Sequence, residues 1–420
     1  MSRRTGWFAA LAALAIVRTG FPLAALAASG HQLPGLPRYE YQGLSGDAVG
    51  FYATAREFIA SISRVGKPLL AALVLLVFAL GALLIVAVRR GRIALHWALI
   101  ALVAAPMLVI ALVITQMTSS GAAVFGWPLI WSVPMLPLRA LKHLDPDIAF
   151  GVGVPIACAA NAVTVVATAY IGLRATGRRW IGLGGGALYA LWPILMGLVA
   201  GSRGWENGTW AIDAGLAMYT EPISTALVTV ALALLLADRL GSVAATVAGI
   251  AFGLATLVKL SNGILALVVL GLVVWRHGRE RAALFAAGAL TFAPAAVAYW
   301  PRGYGKIQGP TAEKPAFVGS AGDALRNWSA SLLFSPRTLI VLVPLAVLGC
   351  AAVQSQKRLA LVVLPVLVNA LFYTFYAHTA DHPRFLFVSL PAVFVLWIAG
   401  AWLVASGLRK TFRASRPAPL

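Results

Sequence analysis

Acidic residues are scarce in this sequence: 13 Asp and Glu stand against 33 Lys and Arg in 420 residues. Charge of either sign is rare, at 11 % of residues, while 60 % are apolar and the mean hydropathy is +0.87. That combination excludes an ordinary soluble domain, and apolar runs of about 20 residues recur along the chain. Cysteine is limited to Cys158 and Cys350, both inside apolar runs, which excludes a disulfide framework and a cysteine metal site and leaves small core residues. No Walker loop, dinucleotide fingerprint or HExxH occurs, so nucleotide-driven transport and zinc proteolysis have no support. The two halves show no clear internal repeat, a feature transporters tend to carry. The net charge of +20 is no argument for nucleic acid, because in such a chain charge is read by its position relative to the apolar spans.

What is present reads as an all-α polytopic membrane protein, a single transmembrane domain over residues 1–420. The start, MSRRTGWFAALAALAIVRTGFPLAALAAS, has the basic and apolar regions of a signal peptide, but Arg18 interrupts the run. An uncleaved first span over 7–29 is the preferred expectation. Further crossings are expected over 69–88, 93–117, 148–173, 181–200, 222–237, 243–258, 263–275, 283–300, 337–353, 359–377 and 385–407, about 12 in all. Residues 121–138 (GAAVFGWPLIWSVPMLPL) are apolar but carry Pro128, Pro134 and Pro137, and read as a re-entrant or interfacial segment.

The basic residues then set the orientation. With the N-terminus inside, the inner loops and tail hold 18 of the 33 Lys and Arg but only Asp238 and Glu280 of the 13 acids. The longer acid-bearing loops 30–68, 201–221, 301–327 and 378–384 fall on the outer face, and both termini on the cytoplasmic face of a plasma membrane.

The first outer loop holds GDAVGFYATAREFIASI, residues 46–62. Phe51, Ala55, Phe58, Ile59 and Ile62 recur at helical spacing, with Arg56, Glu57 and Arg64 on another face, the pattern of a short helix in a membrane interface. Asp47 suits two roles at its start, a helix cap or a base. The loop after 200 offers Trp205, Glu206, Trp210, Asp213 and Glu221; the tryptophans read as interfacial aromatics, and Glu221 before Pro222 as a polar ligand or a helix start. Lys259 lies at the tip of a helical hairpin, GLATLVKLSNGIL, and Arg302 and Lys306 begin the next long loop. His378, Asp381, His382 and Arg384 lie in HTADHPRFLFVSLP; Pro383 weakens a metal reading of the histidines, and neither a metal nor a cofactor is expected. Charged groups at a span edge cost energy on insertion and ask for a reason.

The order of these segments resembles a known family. An acid in GDAxxFY, the proline-bearing WPLIWSVPMLPLRAL, the helix start YTEPISTALVTVALALLL, the GLAxLxK hairpin, SPRTLIVLVPLAVLG and a final RFLFVSLP are similar to the integral-membrane glycosyltransferases of the GT-C superfamily, in particular the family 39 and aminoarabinose-transferase-like members. The resemblance covers most of residues 7–407 and rests on order, not on any single motif. Two departures stand out: Asp47 is followed by Ala48 where the family often has a second acid, and the spans 69–88 and 93–117 come between the first loop and the proline-rich helix.

The resemblance implies inverting transfer of a sugar from a polyprenyl-phosphate donor on the outer face, to a protein, lipid or glycan acceptor. Asp47 would be the base. Arg384, Lys259, and Arg302 or Lys306 would contact phosphate, and Trp205, Trp210, Glu206, Asp213, Glu221 and His382 would line the substrate site. Membrane lipids and the lipid-linked donor are the expected partners, and nucleic acid is not. The rival expectations are a transporter or flippase of lipid-linked sugars, and a GT-C-like scaffold without catalysis.

Overall fold

A computed structural model describes residues 3–27, 47–122, 124–140, 145–206, 220–303, 320, 322, 336–375 and 386–414. Among these residues the structure is helical, with no strand. Six helices are long and apolar enough to cross a membrane, or seven if one bent pair is counted as a single span.

The first helix, α1 (Arg3–Ala27), is packed into the bundle. Trp7 lies edge-on to Tyr170, 5.1 Å between ring centroids. Arg18 is 1 % exposed, donates to Asn161 Oδ1 at 3.4 Å and sits 5.7 Å from the Tyr189 ring centroid. The arginine that interrupts the apolar run is therefore an internal contact with α6 (Pro146–Thr176) and α7 (Arg179–Glu206).

Next, α2 (Asp47–Ile62) is joined by a 3-10 turn and Gly66, at φ 89°, to α3 (Lys67–Arg89). The left-handed backbone at Gly66 suits glycine alone, and Pro68 follows in the first turn of α3, where its missing N–H costs nothing. Of the described elements, α3 packs chiefly on α4 (Leu95–Thr115), and Phe78 on its outer face is 72 % exposed. A helix apolar all round and uncovered by protein is suited to lipid.

After α4 come α5 (Gly126–Ala140) and α6. Asp145 caps α6 by accepting from Ile148 N at 2.8 Å with Pro146 behind it, and Gly177, at φ 72°, closes the other end with its N–H on Leu173 O. Both ends of α5 touch the same end of the bundle: Gly126 abuts Leu257–Val258, and Arg139 donates to Ile59 O. The expected non-crossing segment is thus a helix packed beside α2, with Pro134 and Pro137 inside it. The apolar stripe of α2 differs from expectation. Phe51, Tyr52, Ala55 and Ile59 share a cluster with Trp127, Trp131 and Phe150, so protein covers it rather than lipid.

The remaining helices are α8 (Glu221–Leu235), α9 (Ser242–Val258), α10 (Asn262–His277), α11 (Arg279–Leu290), α12 (Ala293–Tyr299), α13 (Pro336–Cys350), α14 (Gln356–Thr374) and α15 (Leu390–Ala414), the last preceded by a 3-10 turn at Phe387–Ser389. Two expectations are corrected. The span 283–300 is broken, with α11 and α12 meeting at 41°. Pro294 is the cause: it supplies no N–H and its ring crowds the carbonyl four residues back. Helix α7 also runs on to Glu206, since no proline stops it after 200, so Trp205 and Glu206 end a helix instead of standing in a loop.

Helices α9 and α11 pack most closely. A Cβ on Gly249 would collide with Phe285 O, and one on Gly253 with Ala289 O. Small residues that let backbones meet are how apolar helices associate where lipid removes the hydrophobic drive.

The bundle has two unlike ends. At one, Arg276 donates to Leu236 O and Ala237 O, His277 bonds Leu235 O, Arg174 donates to Ala233 O, and Arg358 pairs with Asp238. Basic side chains there satisfy the carbonyls at the C-terminal end of α8 and complement its dipole. The other end gathers α2, α5, the start of α8, the α9–α10 turn and the end of α14.

Candidate functional site

At that second end, α8 begins with Thr220-Glu221-Pro222. Pro222 fits the first turn, and Glu221 faces inward at 2 % exposure. At Lys259 the chain leaves α9 in an extended conformation, and Lys259, Leu260 and Ser261 form the turn into α10. Lys259 Nζ donates to Glu221 Oε1 at 2.9 Å, with side chains 12 % and 3 % exposed. Thr220 Oγ1 donates to Glu221 Oε2 at 3.3 Å. The ammonium also lies 5.3 Å from the Tyr373 ring centroid, and the Tyr373 hydroxyl shares a 2.7 Å hydrogen bond with Ser261 Oγ.

The turn is tied down from two more sides. Asn262 Nδ2 donates to Ser224 Oγ at 2.7 Å and to Ala255 O at 2.9 Å. Deeper in α14, Asn369 Nδ2 donates to Ser389 Oγ at 2.9 Å, joining the start of the last helix to the same wall. A buried ion pair is expensive to desolvate and is retained where further hydrogen bonds hold it. Here Thr220 supplies one to Glu221, and the bonds of Ser261 and Asn262 fix the turn that carries Lys259. The result is a rigid, charged and aromatic corner at the end of an apolar bundle.

Asp47 opens α2 in the first helical turn and is exposed. A carboxylate there complements the helix dipole, so the cap-like and base readings share one position. The neighbouring Ala48 lies in one cluster with Ile223 and Val258, which flank Glu221 and Lys259 along the chain. In the same helix the buried Tyr52 hydroxyl, like that of Thr225 in α8, has no hydrogen-bond partner among the described residues.

The far end of α2 is clamped. Glu57 Oε1 accepts from Arg64 Nη1 at 2.6 Å, Thr118 N at 2.8 Å and Thr118 Oγ1 at 2.9 Å. Burial alone would raise the Glu57 carboxyl, but the Arg64 and Thr118 hydrogen bonds and the Arg64 charge outweigh it and hold its pKa down to about 2.

Arg302 is engaged in the same region. Nε donates to Met117 O at 3.0 Å, Nη1 to Ala298 O at 3.2 Å and Nη2 to Thr115 O at 2.8 Å. Its guanidinium caps α4, a structural employment for a residue expected at phosphate.

Neither family models nor curated proteins nor solved structures match this chain.

Of the expected site residues, the structure joins Glu221 and Lys259 and sets Asp47 and Arg302 at the same end of the bundle. Lys306, Trp210, Asp213, His382 and Arg384, with His378 and Asp381, lie outside the described residues, as do the side chains of Trp205 and Glu206. Among the described residues no group of three His, Cys, Asp or Glu converges as a metal site would require, and Cys158 and Cys350 are free thiols. Tyr373, Ser261, Asn262, Ser224 and Thr220 were not singled out from sequence. A usable signal existed: Asn262, Asn369 and Ser224 are polar residues beside or within apolar runs, where each needs a partner.

Proposed function

We propose that this chain is a membrane glycosyltransferase of the GT-C type, transferring a sugar from a polyprenyl-phosphate donor to an acceptor at the outer face of a plasma membrane. The observation that carries this reading is the Glu221–Lys259 pair, held by Ser261, Tyr373 and Thr220 at the bundle end that also bears Asp47. A fixed cation there suits a departing lipid phosphate.

Among the described residues twelve helices are available as passes if α11 and α12 count as one and α2 and α5 are set aside. That supports twelve crossings, with the arginine-capped end and both termini inside.

In the proposed reaction Asp47 takes the proton of the acceptor hydroxyl. The hydroxyl oxygen bonds to the anomeric carbon as the bond from that carbon to the phosphate oxygen breaks. Polyprenyl phosphate leaves with the electron pair, facing Lys259. Glu221 orients Lys259, and Tyr373 lends its ring face to the ammonium. Lys306 and Arg384 remain proposed phosphate contacts, and Glu206, Asp213, His382, Trp205 and Trp210 proposed sugar or acceptor contacts.

One observation favours a flippase instead: Arg18 of α1 is a charged residue buried against the middle of α6, where substrate paths through a membrane place such groups.

The test is transfer from synthetic polyprenyl-phosphate sugars by purified protein, with donor binding measured in parallel. Wild-type transfer, lost in Asp47→Asn while donor binding is kept, is the expected result. Equal transfer by both proteins removes Asp47 as base, and donor binding without transfer by either, across a panel of sugars and acceptors, favours a carrier.

A further inference from the structure

A groove of about 360 Å³ runs along the bundle between α10 on one side and α11–α12 on the other, with α9 as its floor. The two walls meet at the short connection around Gly278 and diverge toward Leu260 and Trp300. Small residues make the space: Gly263 and Ala266 on one wall, Ala289 and Ala293 on the other.

Its lining side chains are hydrocarbon apart from Thr256, whose hydroxyl is already spent on Phe252 O at 2.8 Å, and the indole of Trp300 at the wide end. A polar ligand would lose its hydration there without recompense. The rim is turned outward, with Leu267 71 % and Leu290 67 % exposed, as expected of a surface bathed in lipid. Trp300, at the wide end, suits the level where aromatic rings meet headgroups.

We propose that this groove is a binding site for one acyl chain of a bilayer phospholipid, entering from the leaflet at the Trp300 end. The volume fits that occupant. At ~30 Å³ for a water-sized group, about 360 Å³ accommodates roughly a dozen such groups, the bulk of one acyl chain. The chain replaces the side chains that small residues leave out, so it wedges α10 apart from α12 and holds the α9–α10 turn that carries Lys259. This inference does not depend on the enzyme reading.

The experiment uses the full-length protein in nanodiscs of phosphatidylcholine bearing a diazirine on one acyl chain, with adducts mapped by mass spectrometry. Helix α3 is the internal standard for casual lipid contact, since Phe78 is as exposed as any groove residue. Segments containing Leu267 and Ala293 are expected to label several-fold more than the segment containing Phe78. Ala293→Phe, or the milder Ala293→Leu if the first does not elute as a single species, brings groove labelling to the α3 level while α3 labelling stays the same. Equal labelling of groove and α3 in the wild type overturns the site, as does groove labelling unmoved by both substitutions. Displacement of the label by an equimolar amount of polyprenyl phosphate overturns the acyl-chain assignment and gives the groove to an isoprenoid tail.

Discussion

Removing either partner of the Glu221–Lys259 pair strands the other charge in a corner only 3 % and 12 % exposed. Two opposite charges about 4 Å apart attract by about 4 kcal/mol at the effective dielectric of a protein site. Truncating one member of a buried pair costs about 3–5 kcal/mol, most of it from the uncompensated survivor. Lys259→Met and Glu221→Met are each therefore expected to lose several kcal/mol of stability. The double variant, which leaves no orphaned charge, is expected to lose less than either single change. Methionine keeps an unbranched chain of similar reach, so packing against the Tyr373 ring is largely retained. The assay is unfolding of detergent-purified protein, followed by near-UV circular dichroism under identical conditions for all four proteins of the cycle. Losses that add to within about 0.5 kcal/mol would mean that the two groups do not interact, and the assembly of the corner around this pair would be wrong.

Other consequences are as direct. Because Glu57 is held at about 2 against an ordinary 4.5, its contribution is fully present above pH 4.5 and is lost as pH falls from 4.5 toward 2. About 1 kcal/mol is at stake given the partly exposed Arg64, and hydrogen-exchange protection at Thr118 N, taken against the intrinsic rate at each pH, should fall over that window in wild type but be low throughout in Glu57→Gln. Arg302→Ala removes three bonds to carbonyls and should cost about 1–3 kcal/mol, read as lost protection in the last turn of α4 while donor affinity is unchanged; a large loss of donor affinity with α4 intact would restore Arg302 to a phosphate role. Gly249→Leu forces a side chain against Phe285 O and should cost about 1–3 kcal/mol or prevent assembly, so wild-type stability in that variant would refute the close approach of α9 and α11.

Much of the architecture was legible because lipid imposes a simple rule on sequence. The run 69–88 and the arginines after it sufficed to place α3, and the prolines of 121–138 marked α5 as a shorter helix apart from the long apolar ones. The break between α11 and α12 was not foreseen, although Pro294 was in view, because a proline in an apolar run bends some helices and interrupts others. The destination of the α2 stripe was misjudged for a related reason: periodicity gives a helix its apolar face but does not say whether lipid or protein covers it. In the site, Lys259 and Glu221 drew notice because charge at a span edge is costly. Their mutual contact spans 38 residues, and no local pattern encodes it. Arg302 looked like a ligand for anions, and only three-dimensional placement revealed carbonyls as its partners.

The position of α3 bears on which membrane suits this protein. Between Lys67 and Arg89 its uncharged stretch, residues 68–88, extends ~32 Å at 1.5 Å per residue, close to the thickness of a hydrocarbon layer of about 30 Å. A helix wedged among neighbours has its tilt set by them. Of the described elements little but α4 holds it, so α3 answers a thinner or thicker layer by changing its own tilt. Bilayer thickness is felt first at this helix. Through α4, whose far end is fastened by Arg302 and Arg64, a change in thickness reaches the loop that anchors α2, and with it the helix that carries Asp47.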